Sequence, residues 1–388
     1  MEIYLVGGAV RDKLLGIVPK ERDYVVVGAT VHDMLERGFK PVGKDFPVFL
    51  HPKTQEEYAL ARIERKVGPG YLGFICHAAP DVSLEDDLKR RDLTINAMAE
   101  DQQGNLIDPY GGQHDLHAKC LRHISSAFIE DPVRLLRVAR FMARYANLGF
   151  SVAPETLDLM QRMVNNGEIN ALTPERVLSE FKKALLQSNP EAFITTLRAS
   201  AALTILFPEL ERLFQMPTPW HTSTHLGGQA LQTLKQIKHL TTDPCTIFAA
   251  LMRNVDPDDL RSFAQRYRIP KKYKELALLA IRYCSYCHNI FRSTPEKCLH
   301  LLEKLDAIRR PDRFQQWLLI SKADFFAQSN NQKTYLQEKY MCNLLKAVCD
   351  IRTEHLMQEK CTGLDLKNKI KELRIQAIER LIDSIERD

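Results

Sequence analysis

The 388-residue sequence predicts a small α/β domain with a mixed sheet and flanking helices, followed by an all-helical remainder. Three observations lead there. Strand-like runs that are β-branched and end in glycine are confined to the first 120 or so residues. From about residue 127 the pattern changes to a repeated theme of a cap or proline, an apolar helical period and a short break. The composition, 45% hydrophobic and 27% charged, is that of an ordinary water-soluble globular chain long enough for more than one domain.

In order, "IYLVGG" (3–8) and "RDYVVVG" (22–28) read as buried strands, "PVFLH" (47–51) and "EYALARI" (57–63) as shorter ones, and 97–108 as a hairpin turning at "QQGN". Helices are expected near 9–15, 30–37 and 92–98. Beyond them, "DPVRLLRVARFMARYANLG", "APETLDLMQRMVNNG", "TPERVLSEFKKALLQ" and "NPEAFITTLRASAAL" open a helical series that runs to Asp388. The breaks at 215–222 and 241–245 read as turns, and there is no internal repeat.

The formal charge of +5 permits a polyanionic partner without establishing one. The first residues enter a strand pattern at once and no apolar run approaches a membrane span, so neither export nor membrane insertion is expected. Nine cysteines without an export segment read as reduced thiols, which places the chain in the cytoplasm.

Chemistry concentrates near the first two strands. In "VGGAVRDKLLG" (6–16), Gly7 and Gly8 let the backbone approach a phosphate, and Arg11 adds a guanidinium fork. In "KERDYVVVG" (20–28), Glu21 and Asp23 would point to one side of an extended chain. Two negative charges there call for a cation between them. A phosphate loop facing paired acids suits two-metal nucleotidyl transfer with Mg²⁺. Glu57 is the candidate third acid, with Glu56 adjacent.

Together with "RRDLTINAMA" (90–99), "IDPYGGQHDL" (107–116) and "EDPVRLLRVARF" (130–141), these motifs occur in an order that resembles the class II tRNA nucleotidyltransferases. These are the CCA-adding enzymes of the polymerase β superfamily. The resemblance is dense to about residue 180 and is closest to the proteobacterial branch. It implies a nucleotidyltransferase head (1–125), a helical neck carrying the base-selecting helix (126–180), and a helical body and tail for tRNA binding (181–388).

The resemblance further implies Glu21 and Asp23 as catalytic metal ligands, and Gly8, Arg11, Arg91, Arg137 and Arg140 as nucleotide-binding residues for CTP and ATP. Asp92 and Asn96 would lie near the ribose. Asp131 and Arg134 would present a fixed acceptor and donor to the incoming base. Cytosine and adenine each offer an exocyclic amine beside a ring-nitrogen acceptor, so one pair can read both. One departure stands out, since the family has Asp where this chain has Glu21. The segment 61–82 resembles the family's flexible loop, needed when the pocket switches from CTP to ATP. The implied partners are tRNA, CTP and ATP, with no obligate protein partner. The rival readings are a poly(A) polymerase of the same superfamily and a catalytically inactive RNA-binding relative.

Two further signals need weighing. "CSYCH" (284–288) matches a haem-attachment pattern, but it continues the apolar period of "YKELALLAIRYC" and reads as a core helix. Many relatives carry a metal-dependent HD phosphohydrolase domain in the C-terminal half, marked by adjacent His and Asp. Here Arg253 and Asn254 fall at that place, so no such activity is expected. His221 and His225 are expected at the surface. Basic groups at 269–274, 307–313 and 366–374 suit phosphate contact.

Overall fold

The structure is a computed structural model and describes residues 1–42, 47–66, 74–218, 225–328, 334–351 and 363–385. The chain divides into two compact units, Met1–Leu206 and Phe207–Asp388.

The first unit begins with β1 (Glu2–Val6), α1 (Gly8–Leu14), β2 (Asp23–Val27), α2 (Val31–Glu36), β3 (Lys40–Pro41), β4 (Val48–Leu50) and β5 (Glu57–Leu60). There follow β6 (Ile63–Lys66), β7 (Phe74–His77), α3 (Leu84–Lys89), β8 (Ala99–Glu100) and β9 (Leu106–Ile107). Seven of these strands form one sheet in the order β3-β4-β5-β2-β1-β8-β9. It is mixed because β2 and β5 run parallel while every other pair is antiparallel.

The central strands are apolar on both faces because both faces are covered. On one side Val25 packs with Val6, Leu88, Ala97 and Ala99. On the other, Val26 packs with Met34, Phe49 and Leu60.

Two expectations change here. The strand expected over 57–63 ends at Leu60, and Ile63–Lys66 instead pairs antiparallel with Phe74–His77 as a separate ribbon. The expected flexible loop is therefore a strand pair on both flanks, and its centre, 67–73, lies outside the described residues. The helix expected over 92–98 shrinks to a single 3₁₀ turn, Thr94–Asn96. The Asp92 carboxylate there accepts from the Leu93 backbone and the Asn96 amide, a local alternative to helix propagation.

After α4 (Gly112–His117) and β10 (Cys120–Leu121), the unit continues into α5 (Val133–Tyr145). Next come β11 (Ser151–Val152), α6 (Pro154–Asn165), α7 (Pro174–Leu185), α8 (Pro190–Ala199) and α9 (Ala202–Leu206). The short β11 runs parallel to β10, a strand the helical pattern did not announce. Pro154, Pro174 and Pro190 each open a helix, where a missing N–H costs nothing. α5 packs against both α7 and α8.

The second unit has helices and no named strand among its described residues: α10 (Pro208–Leu213), α11 (Leu226–Leu240), α12 (Pro244–Leu251), α13 (Pro257–Arg266) and α14 (Lys271–His288), then α15 (Pro295–Leu305), α16 (Pro311–Gln328), α17 (Leu336–Cys349) and α18 (Gly363–Ile385). Its core gathers α11, α12, α14 and α16 around the fully buried Phe248, Leu276 and Trp317. Cys284 and Cys287 lie inside this core on α14, as the apolar period predicted. No described helix is long and apolar enough to cross a membrane.

Candidate active site

All but one of the residues expected to do chemistry converge on one cavity of about 950 Å³ in the first unit. Its lining includes Gly8, Arg11, Glu21, Asp23, Arg91, Asp92, Asn96, Asp131, Arg134, Arg137 and Arg140.

Glycine is required at the turn between β1 and α1. Gly7 holds φ near +68°, and a Cβ there would meet Arg91 Nη1 at 2.7 Å. The Gly7 amide bonds the Met98 carbonyl at 3.1 Å, so the turn is tied to the "RRDLTINAMA" segment. Arg11 emerges from this turn and is 3% exposed. Its Nε and Nη2 donate to Asp12 Oδ1 at 3.0 and 2.8 Å, and its Nη1 donates to Asn96 Oδ1. Its guanidinium carbon lies 5.3 Å from the ring centroids of both Phe141 and Tyr145.

Asp23 opens β2, while Glu21 precedes the strand. The strand geometry that would align the two acids therefore does not extend to Glu21, although both line the cavity. Desolvation pushes the Asp23 carboxyl up, Arg91 pulls it down, and Glu21 pushes it up again. Glu57 is paired in register with Asp23 across the parallel ladder, but it does not line the cavity. Among the described residues no three His, Cys, Asp or Glu side chains gather to hold a metal. Glu57 starts its strand at the exposed sheet end, so of the three candidate acids Glu21 and Asp23 line the cavity.

Buried acids hold the arginines. Asp87, fully buried, accepts from Arg91 Nη2 at 3.2 Å and from Arg90 Nε and Nη2 at 2.9 and 2.8 Å. Asp92 Oδ2 accepts from Arg137 Nε at 2.6 Å. Burial alone would raise the Asp92 pKa, but Arg137, the Asn96 amide and Arg134 hold it well below the usual carboxylate range. Asp92 and Asn96 line the cavity, with polar atoms engaged by each other, Arg137 and Arg11. Arg140 donates to Glu180 at 2.5 Å. Burial opposes ionisation of Glu180, yet Arg140 and Lys183 keep its pKa lowered.

Asp131 and Arg134 were expected one turn apart on a helix. Asp131 instead precedes α5 in extended conformation, and only its carbonyl accepts the Arg134 amide, at 3.0 Å. Arg176 on α7 donates to Asp131 Oδ2 at 3.0 Å. Arg134 is held by the carbonyls of Arg90 and Ala127, at 2.7 and 3.2 Å. α7 therefore reaches α5 through Glu180 to Arg140, and the segment just ahead of α5 through Arg176 to Asp131.

The whole chain has close relatives. It is 47% identical to the "multifunctional CCA protein" of Thioalkalivibrio sulfidiphilus, over 98% of both chains. It is also 47% identical to the "CCA-adding enzyme" of Coxiella burnetii, over 98% of this chain and 96% of that one. The chain belongs to the CCA-adding enzyme family. Residues 3–122 match a family described as the poly A polymerase head domain, and 149–214 one described as a probable RNA and SrmB-binding site of polymerase A. A solved CCA-adding enzyme in an apo form shares the fold with a TM-score of 0.73 at 22% identity, covering 97% of this chain and 88% of that one. A Thermotoga maritima CCA-adding enzyme solved with tRNA has a TM-score of 0.66 at 19% identity, covering 99% and 91%.

Residues singled out by motif in this CCA-adding family member line one cavity, but motif reading did not single out Asp12, Asp87, Arg144, Tyr145, Arg176 and Glu180. Arg144, Tyr145, Arg176 and Glu180 find these partners 40 to 133 positions away, where no local spacing signals them, whereas Asp12 and Asp87 have Arg11 and Arg91 close by in the chain.

In the second unit, Arg253 Nη2 lies 3.2 Å from Asp324 Oδ2, and His288 Nε2 lies 2.9 Å from the same oxygen. His225 is half-buried rather than at the surface, and its Nδ1 accepts the Gly228 amide at 2.8 Å to cap α11. His221 lies outside the described residues.

Proposed function

We propose that this chain, acting as a CCA-adding enzyme in the cytoplasm, builds the 3′ end of tRNA by adding two CMP units and one AMP. CTP and ATP are the donors and pyrophosphate leaves at each step. The observation that carries this reading is the convergence of eleven motif residues from distant parts of the chain on one cavity.

The donor set fits a hard divalent cation such as Mg²⁺. Glu21 and Asp23 would serve as paired oxygen ligands, and the Asp23 carboxyl is pushed up, first by burial and further by the Glu21 charge, which a bound cation would offset. Bound there, Mg²⁺ would lower the pKa of the attacking hydroxyl and offset phosphate charge. Asp131 and Arg134 read the base edge, Asp131 as acceptor and Arg134 as donor. Both are pinned by protein partners, so they take the place of a template. Arg11, Arg91, Arg137 and Arg140 face the triphosphate as guanidinium forks, each already oriented by a carboxylate. Orientation before binding lowers the entropic cost of holding a flexible triphosphate.

The test uses tRNA transcripts ending in N, NC and NCC, with CTP or ATP supplied singly. CTP should extend the first two and ATP only the third. An ATP-dependent homopolymer tail on all three would favour a poly(A) polymerase instead, and no extension would favour an inactive RNA-binding relative. We also infer that the second unit has no HD phosphohydrolase activity. Arg253 presents a cation, not a ligand, to Asp324. Metal-stimulated release of phosphate from phosphomonoesters or cyclic phosphodiesters would overturn that inference.

A further inference from the structure

We propose that Arg144 joins Arg11, through Asp12, in a two-guanidinium clamp for the terminal phosphates of the incoming nucleotide and for the pyrophosphate that leaves. The proposal rests on reading the cavity as a nucleotide site and adds residues that the motifs did not single out.

Asp12 is the hub. It is 6% exposed and lines the cavity with Arg11, Arg144 and Tyr145. Its Oδ1 accepts from Arg11 Nε and Nη2 and from Tyr145 Oη at 3.1 Å, and its Oδ2 accepts from Arg144 Nη2 at 2.7 Å. One carboxylate thus fixes two guanidinium groups from different helices, α1 and α5. A single negative charge between two positive ones leaves an excess of one, which an anion in the cavity can neutralise.

The Tyr145 phenol is pushed up to about 12, first by burial, so it donates to Asp12 throughout the working pH range. Its ring also lies 5.1 Å from the Arg144 guanidinium carbon. These contacts stiffen both forks.

Position assigns the ligand. Arg144 continues the series Arg134, Arg137 and Arg140 along α5 and keeps 30% of its side chain exposed. Ten helical residues separate it from Arg134, about 15 Å at a rise of about 1.5 Å per residue. The clamp therefore serves the end of the groove remote from the base-reading pair. Planar forks suit phosphate oxygens, and two forks set on either side of one carboxylate can reach oxygens on two linked phosphates.

The experiment measures CTP addition to a tRNA ending at the discriminator base, with inorganic pyrophosphate as product inhibitor. Arg144→Gln should weaken pyrophosphate inhibition about tenfold and raise KM for CTP and ATP alike. That is the scale of one lost charge-assisted hydrogen bond. The preference for CTP and ATP over UTP and GTP should be unchanged, and Arg144→Lys should recover part of the loss. Tyr145→Phe, a smaller change for a chain in which Arg144→Gln folds poorly, should shift pyrophosphate inhibition in the same direction with little change in thermal midpoint. Wild-type pyrophosphate inhibition in either folded variant overturns the clamp. A wild-type protein that adds no nucleotide overturns the underlying reading instead.

Discussion

Arg176 holds Asp131. The guanidinium on α7 meets the carboxylate ahead of α5 at 3.0 Å, and Asp131 Oδ1 accepts the Val133 amide at 3.2 Å. The proposed base-reading acceptor is thus fixed at both oxygens before any nucleotide arrives. Asp131 lies outside the helix, so α5 by itself would not orient it.

Arg176→Gln should therefore relax base selection more than it slows chemistry. We expect incorporation of UTP or GTP opposite no template to rise about tenfold relative to CTP, the scale of one ionic hydrogen bond. Competition assays with paired nucleotides on tRNA ending in N would show it, and unchanged selectivity would remove Arg176 from this role.

Glu21 departs from the aspartate that the family resemblance implies, and it sits just outside β2. A loop position can absorb one methylene that a strand position could not. Glu21→Asp should keep activity, whereas Glu21→Ala and Asp23→Ala should each lose it by on the order of a hundredfold. Single-turnover CMP addition measures this directly. A fully active Glu21→Ala would leave the metal to Asp23 and other groups.

Asp87 never lines the cavity, yet it holds Arg91, which does. Asp87→Asn keeps the shape and removes the charge. KM for CTP and ATP should rise together, by roughly fivefold to tenfold, with their ratio unchanged. A change in the ratio would mean that Asp87 acts on base selection instead.

Asp324 in the second unit is fully buried and receives Arg253, His288, Gln229 and Gln328. Burial alone would raise its pKa, but Arg253 and His288 hold it below the usual carboxylate value. A depressed carboxylate pKa adds stability that is fully present above the unfolded value, about 3.9. That stability is lost as pH falls through the lower folded value. Asp324→Asn should thus be less stable than wild type at neutral pH, by about 3 kcal/mol for a broken buried pair. The gap should narrow below about pH 4. Urea melts at pH 7 and pH 3.5 test this, and a gap independent of pH would exclude the charge as its source.

Much of the molecule was legible from local pattern. The β-branched runs marked β1 and β2, and prolines marked the starts of α6, α7 and α8, because strand and helix preferences act over a few residues. Gly8, Arg11, Glu21 and Asp23 were legible for a related reason: turn, fork and paired acids lie close together in the chain. Other features were decided by tertiary structure. Asp131 left the helix, the 92–98 helix shortened to one turn, and Glu57 stayed outside the cavity while remaining in register with Asp23. Arg144 and Tyr145 reached Asp12 across more than 130 positions, and α7 came alongside α5 to hold Asp131 and Arg140. The sequence alone determined which elements form and which residue types carry charge. Which carboxylate meets which arginine was settled only by packing, because an ion pair is selected by distance in space and by desolvation, and neither is encoded in spacing along the chain.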